Sequence, residues 1–284
     1  MNTPAFELLK QDTVRTEEGI TLYRIRALRD IGKSVKAGDI GGYIEAERNL
    51  SHKTNAWETG TAWVSDDARV YGNARVYGNA QVCDNAQVYG NAQVYGNAWI
   101  GGDAWVSDYA HVYGNARVFD NAHVYGNAHV WGEARVLGNT RVLGNAWVSG
   151  STWVYGDARV YGDAHVYDNA YVWGDAHVYD NAHVWGDAQV SGGARVGGNA
   201  WVCRKSDIIW FTGVGSEHGT LTVYKTKNSI HVTRDCFSGT VTEFLAAVDK
   251  NHGSSKISHE YRLLIEVACS RLGVPMPEPE EIAA

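Results

Sequence analysis

The sequence predicts an all-β fold, a β-solenoid of short stacked strands, and three observations predict it. A small residue falls at every sixth position from Ala56 to Ala200, Ala in 23 of 25 cases and Thr at 140 and 152. An aliphatic residue follows two places later, Val in 23 of 24 cases between Val64 and Val202 and Ile at 100. Two places further stands Gly or Asp, 18 and 6 times between Gly60 and Gly198, with Asn or Asp next in 19 of 24 cases. The unit reads A-x-V-x-G-N, and an unbroken short period of this kind marks a coil whose turns bury one another.

Each part of the unit has a physical role. Side chains alternate along A-x-V-x, so Ala and Val face inward and the x residues outward. Val is β-branched and suits extended backbone. Gly-Asn or Gly-Asp tolerates positive φ and supplies a corner. A strand of about four residues and a tight corner then repeat, and successive turns pair at about 4.8 Å. Each Val rests on the Val of the next turn, worth roughly 1.5–3 kcal/mol before a chain-entropy cost of similar size. An interior of Ala and Val is expected to be narrow, dry and without a ligand pocket, which places any site outside or at the ends.

The repeat occupies residues 56–203. Residues 1–55 read as an N-terminal β cap, with a strand over Thr21 to Leu28 and a Gly-Gly pair at 41–42 in a turn. Residues 204–274 read as a small α/β domain. Strands are expected over Asp207 to Phe211, Thr220 to Tyr224 and Ser229 to Thr233, then helices over Thr240 to Lys250 and Ser258 to Leu272, with Ser258 as N-cap. It is taken as an interaction module on the end of a rod. Ser216, Glu217 and His218 are sequence neighbours in a turn and make no triad, since Val214 stands where a nucleophile elbow needs Gly. His231, Asp235 and Cys236 also lie close in sequence, without a spacing that fixes their geometry. Residues 275–284 read as a disordered acidic tail.

Charge narrows the function classes. Residues 1–55 carry 9 basic and 8 acidic side chains, residues 56–203 carry 7 Arg, no Lys and 14 acids, and residues 204–284 carry 9 and 10. A solenoid without lysine is a poor phosphate-binding surface, so no nucleic-acid partner is expected. No apolar run reaches the length of a membrane span, and no secretory signal is expected at Met1 to Asp12. The four cysteines have neither metal-ligand nor disulfide-scaffold spacing, and a cytoplasmic location is the simplest expectation.

The hexad resembles that of the hexapeptide-repeat superfamily, the trimeric left-handed β-helices of sugar-nucleotide acyltransferases. Val70 to Arg75, V-Y-G-N-A-R, matches its aliphatic-x-x-x-small-x pattern in phase. The resemblance implies a single-stranded left-handed β-helix with eighteen residues per coil, about eight coils and a prism about 40 Å long at the strand spacing above. It also implies a homotrimer. The cap stretch Lys36 to Glu45 and the C-terminal domain resemble those of prophage-type members. Acyltransferases of the superfamily usually carry a loop that breaks a coil over the active site. The period here never slips.

With eighteen residues per coil, His-Val-aromatic recurs on one outer face: His111 and Tyr113, His129 and Trp131, His165 and Tyr167, His183 and Trp185. These eight are the candidate binding residues. Stacked aromatics stabilise neighbouring coils, and contiguous exposed aromatic surface also marks a contact site for a protein or a stacked glycan. No catalytic residue, cofactor or metal is expected, because two stacked His are fewer than a catalytic zinc requires. The leading expectation is a non-enzymatic, prophage-type scaffold with a protein partner. An acyltransferase using one of these His as base between subunits, and a glycan-binding protein, are the alternatives.

Overall fold

The computed structural model describes residues 4–277 and falls into two units, 1–155 and 156–284, each taken by itself below. The repeat is a β-solenoid of about nine turns in all. Its register is eighteen residues: Gln93 pairs in parallel with His111 and Val94 with Val112, and Trp105 pairs with His123.

In unit 1 the extended ladder holds two residues per hexad, as in Arg69–Val70 and Arg75–Val76, not four. The corner takes the other four, yet its amides go on pairing: Asn73 N donates to Gly90 O at 2.6 Å. Every Gly or Asp corner from Gly60 to Gly198 has positive φ. Asp is tolerated there because its carboxylate accepts the corner amide of the next turn, Asp84 Oδ2 from Gly102 N at 2.7 Å and Asp120 Oδ2 from Gly138 N at 2.9 Å. The residue after the corner forms a second ladder. The carboxamide of Asn79 donates to that of Asn97, and Asn97 to Asn115, each at 3.0 Å.

A corner glycine therefore meets two constraints. At Gly72, φ is +73° and an added Cβ would sit 2.8 Å from the Gly90 amide nitrogen. Gly72→Ala is expected to cost about 1–3 kcal/mol in chemical denaturation. Gly72→Asp is expected to cost less, since its carboxylate gains the Gly90 amide. Equal costs would show that the carboxylate contributes nothing.

The N-terminal cap coils earlier than the hexads begin. Strands Phe6–Arg15 and Thr21–Ala27 pair antiparallel, and Thr21–Ala27 pairs with Ile40–Ile44. Tyr43 and Ile44 then pair in parallel with Trp63 and Val64, and Leu50 bridges Val70. Parallel coil pairing thus begins near residue 40, before the first hexad. The Arg24 guanidinium lies 4.4 Å from the centre of the Tyr43 ring and donates to the Gly41 and Gly60 carbonyls at 3.1 and 2.7 Å.

The interior rows of Ala and Val are fully buried, as expected. Glu58 corrects the purely apolar interior. It takes the Val position of the first full turn, paired with Val76, and is completely buried. Neither of its carboxylate oxygens has a hydrogen-bond partner, and burial pushes its carboxyl well above the ordinary range. Gly41 and Gly42, in the strand Ile40–Ile44 and not in a turn, let that strand approach the first coil closely. A Cβ on Gly42 would strike the Ala62 carbonyl oxygen, and one on Gly41 would strike Ile25 at 2.5 Å. That packing explains the glycine pair.

In unit 2 the repeat ends against a four-stranded antiparallel meander, Ile208–Val214, Gly219–Lys225, Ile230–Arg234 and Phe237–Thr240, followed by helices α1 (Val241–His252) and α2 (Lys256–Leu272). The fourth strand was not legible. Thr240 caps α1 with Glu243 in a capping box. Ser255, not Ser258, caps α2, because Ile257 already belongs to the buried stripe and the helix starts a turn earlier. Leu221, Val223, Val232, Phe244, Leu245 and Ile265 form the core, with Met276 packed on it. The part of the expected acidic tail from 278 onward lies outside the described residues.

The sheet also caps the last turn, a role the sequence reading did not assign to it. Arg195 and Gly197 have no further coil to pair with. Thr222 Oγ1 accepts from Arg195 N at 3.1 Å, Thr233 Oγ1 donates to Arg195 O at 2.7 Å, and Tyr224 Oη bonds both Gly197 N and Gly197 O at 3.2 Å. Three side chains from two strands supply what the next coil would have supplied.

Candidate functional site

The His-Val-aromatic face appears where the eighteen-residue register places it. In unit 1, position x and the position two residues on each form a row running up the coil. Tyr77, Tyr95, Tyr113 and Trp131 stack nearly parallel, with ring centres 4.8, 4.8 and 5.7 Å apart. Beside them His111 stacks on His129 at 4.8 Å, and Trp147 closes the row edge-on to Trp131 at 5.5 Å. Tyr77 Oη donates to Gln93 Oε1 at 3.2 Å, so the rows are also tied together. The spacing is that of the strands, so each ring covers one face of its neighbour and all four are half-buried.

Burial lowers the basicity of His111 and His129, and in His129 the neighbouring His111 adds to it. At neutral pH both imidazoles are therefore uncharged, each with one donor and one acceptor nitrogen. Their parallel planes set the nitrogens side by side instead of converging on one ion. Among the described residues no group of three or more His, Cys, Asp or Glu side chains is placed to hold a metal.

Unit 2 repeats the arrangement. His165 and His183 lie 4.8 Å apart, tilted by 41°, and Tyr167 stacks on Trp185 at 5.7 Å. The row ends on Trp201, whose ring centre is 5.0 Å from His183 and 4.6 Å from Trp185. Burial again lowers the basicity of both imidazoles, and for His183 the neighbouring His165 and Lys227 add to it. All eight expected binding residues thus fall into ordered rows within their own units.

Sequence reasoning missed the cleft at the end of the second row. Lys227, in the turn between the second and third strands of the C-terminal sheet, holds its Nζ 4.5 Å from the centre of the Trp201 ring. The turn itself was legible as Lys227-Asn228, but nothing local to it says which face of the coil it meets. The two C-terminal clusters singled out earlier make no catalytic arrangement. Residues 215–218 form the turn after Val214, with φ of +48° at His218. His231 Nε2 lies 2.9 Å from Ser238 Oγ on the adjacent strand, while Asp235 sits in the next turn.

Cys83 is buried, its thiol pushed up to about 12 by burial, so it is no nucleophile. Among the described residues no helix is long and apolar enough to cross a membrane.

A family model described as the YdcK beta solenoid repeat matches residues 68–84, 80–96, 86–102, 110–126 and 153–168, each match about one coil long. Comparison with curated proteins finds no match. The matched repeats and the register agree: this chain is a β-solenoid repeat protein.

Proposed function

We propose that the protein is a non-enzymatic scaffold whose His/aromatic rows dock a protein partner. The observation that carries this is the row in unit 1. Tyr77, Tyr95, Tyr113 and Trp131 form a flat, preformed, half-exposed surface beside two uncharged imidazoles. Rings locked by their neighbours lose little side-chain entropy on binding, which favours such a surface as a docking site. His165, Tyr167, His183 and Trp185 extend the reading to unit 2. A left-handed coil, a trimer and a prophage origin belong to the same proposal and rest on the resemblance. So does the acyltransferase alternative; no measurable acyl-CoA binding by calorimetry would remove it.

The paired change His111→Glu with His129→Lys tests the docking surface. The two new charges lie opposite each other on adjacent strands and can pair, so the fold is kept while the uncharged surface is lost. The variant is expected to melt close to the parent and to recover at least about tenfold less partner from lysate. Equal recovery would contradict the proposal.

A further inference from the structure

In unit 2 a cleft of about 560 Å³ opens beside the last turn of the repeat. Two successive coil positions form its floor, Asn181 with His183 and Asn199 with Trp201, and the turn from Thr226 to Ser229 forms its wall. The wall is fixed in place. Thr226 bridges Ala200 backbone to backbone, and its amide donates to Ser229 O at 2.8 Å.

The lining has unspent capacity. The Asn181 and Asn199 carboxamides, one coil apart, make no hydrogen bond among the described residues, whereas Asn73 and Asn91 on the same corner in unit 1 are joined at 2.9 Å. His183 Nδ1 is buried without a partner. Lys227 lies over the indole of Trp201, and among the described residues no carboxylate pairs with it. The nearby cations Arg204 and Lys225 are already engaged by Asp207, at 3.6 and 3.0 Å.

Two open carboxamides, one buried imidazole nitrogen without a partner and one unmatched ammonium select a particular chemistry. The Trp201 indole is already packed against Lys227, His183 and Trp185, so it lines the floor and leaves recognition to the polar groups. The carboxamides each donate to and accept from hydroxyls. The ammonium takes a carboxylate. A neutral sugar would leave Lys227 unmatched, a simple anion would leave the amides unused, and a nucleotide's phosphates would demand more cations than one. We infer that this cleft binds an acidic saccharide, a uronic-acid mono- or disaccharide. The volume lies within the range of small-ligand sites. The inference stands apart from the protein-docking reading, whose central row is in unit 1.

Calorimetric titration with digalacturonic acid tests it, with lactose as the neutral control and acetate as the simple anion. The parent protein is expected to bind digalacturonate at least about tenfold more tightly than either control. Lys227→Met is expected to weaken binding about tenfold, and Asn181→Ala with Asn199→Ala several-fold, both with unchanged melting because these side chains are exposed. The His111→Glu, His129→Lys variant is expected to bind as the parent does, so loss of protein docking and loss of saccharide binding are separable. No binding at millimolar digalacturonate, equal binding by the Lys227→Met protein, or equal affinity for acetate would overturn the inference.

Discussion

Glu58→Val is expected to stabilise unit 1 by about 2–4 kcal/mol, because it removes two unsatisfied buried oxygens and continues a row of valines. Glu58 pairs with Val76 in the ladder, so valine there completes the interior that every later turn already has. The gain should depend on pH. Burial holds the folded-state pKa of the Glu58 carboxyl above the value of about 4.3 in an unfolded chain. The protonated carboxyl therefore favours folding most below that pH, and this contribution is lost as pH rises toward the folded-state value. The advantage of the valine variant should grow over the same interval and then level off. No charged side chain contributes to the shift, which comes from burial alone, so neighbours should not mask the trend. Glu58→Gln should flatten the pH dependence with a smaller gain, since a carboxamide leaves its own polar atoms unpaired. Thermal melts of the three proteins between about pH 4 and pH 8 read this directly. An advantage constant across that range would show that ionisation of Glu58 is not the cause.

Removing the C-terminal domain after Cys203 is expected to leave a chain that aggregates or melts without cooperativity. The cut exposes the backbone of Arg195 and Gly197 together with an unpaired coil edge. A gentler version changes Thr222→Val, Thr233→Val and Tyr224→Phe, which strips the hydrogen bonds and keeps the apolar packing of the domain. At about 1 kcal/mol for each lost bond, and more for each group left buried without a partner, the triple variant should lose about 3–5 kcal/mol in chemical denaturation. A soluble, cooperatively melting chain ending at Cys203 would contradict the capping role.

Much of this was legible because the hexad encodes its structure locally. Ala and Val at fixed places dictate an inside, Gly and Asp dictate a corner at positive φ, and the eighteen-residue register followed from the resemblance. Once that register is known, His111 beside His129 and Tyr113 beneath Trp131 follow by counting. What escaped was long-range. Glu58 reads as an ordinary acid until the strand Ile40–Ile44, far away in sequence, closes over it. The side chains of Thr222, Tyr224 and Thr233 alternate in strands like any others, and only the end of the coil gives them carbonyls and amides to satisfy. Lys227 is a turn residue whose neighbour, Trp201, is set by tertiary contact alone. The Asn ladder lies between. Asn after Gly is turn chemistry by local rules, and its carboxamide chain exists only because turns stack in register.

Oxidative footprinting of the aromatic rows, free and in the complex captured from lysate, tests the docking claim most directly. Tyr95, Tyr113 and Trp131 are half-buried in the isolated chain and retain ring edges open to labelling. The account predicts that these rings become several-fold less reactive in the complex, while Trp63 and Trp99 on another face of unit 1 stay unchanged. Unaltered labelling of Tyr113 and Trp131, or protection confined to the Trp63 and Trp99 face, would contradict it.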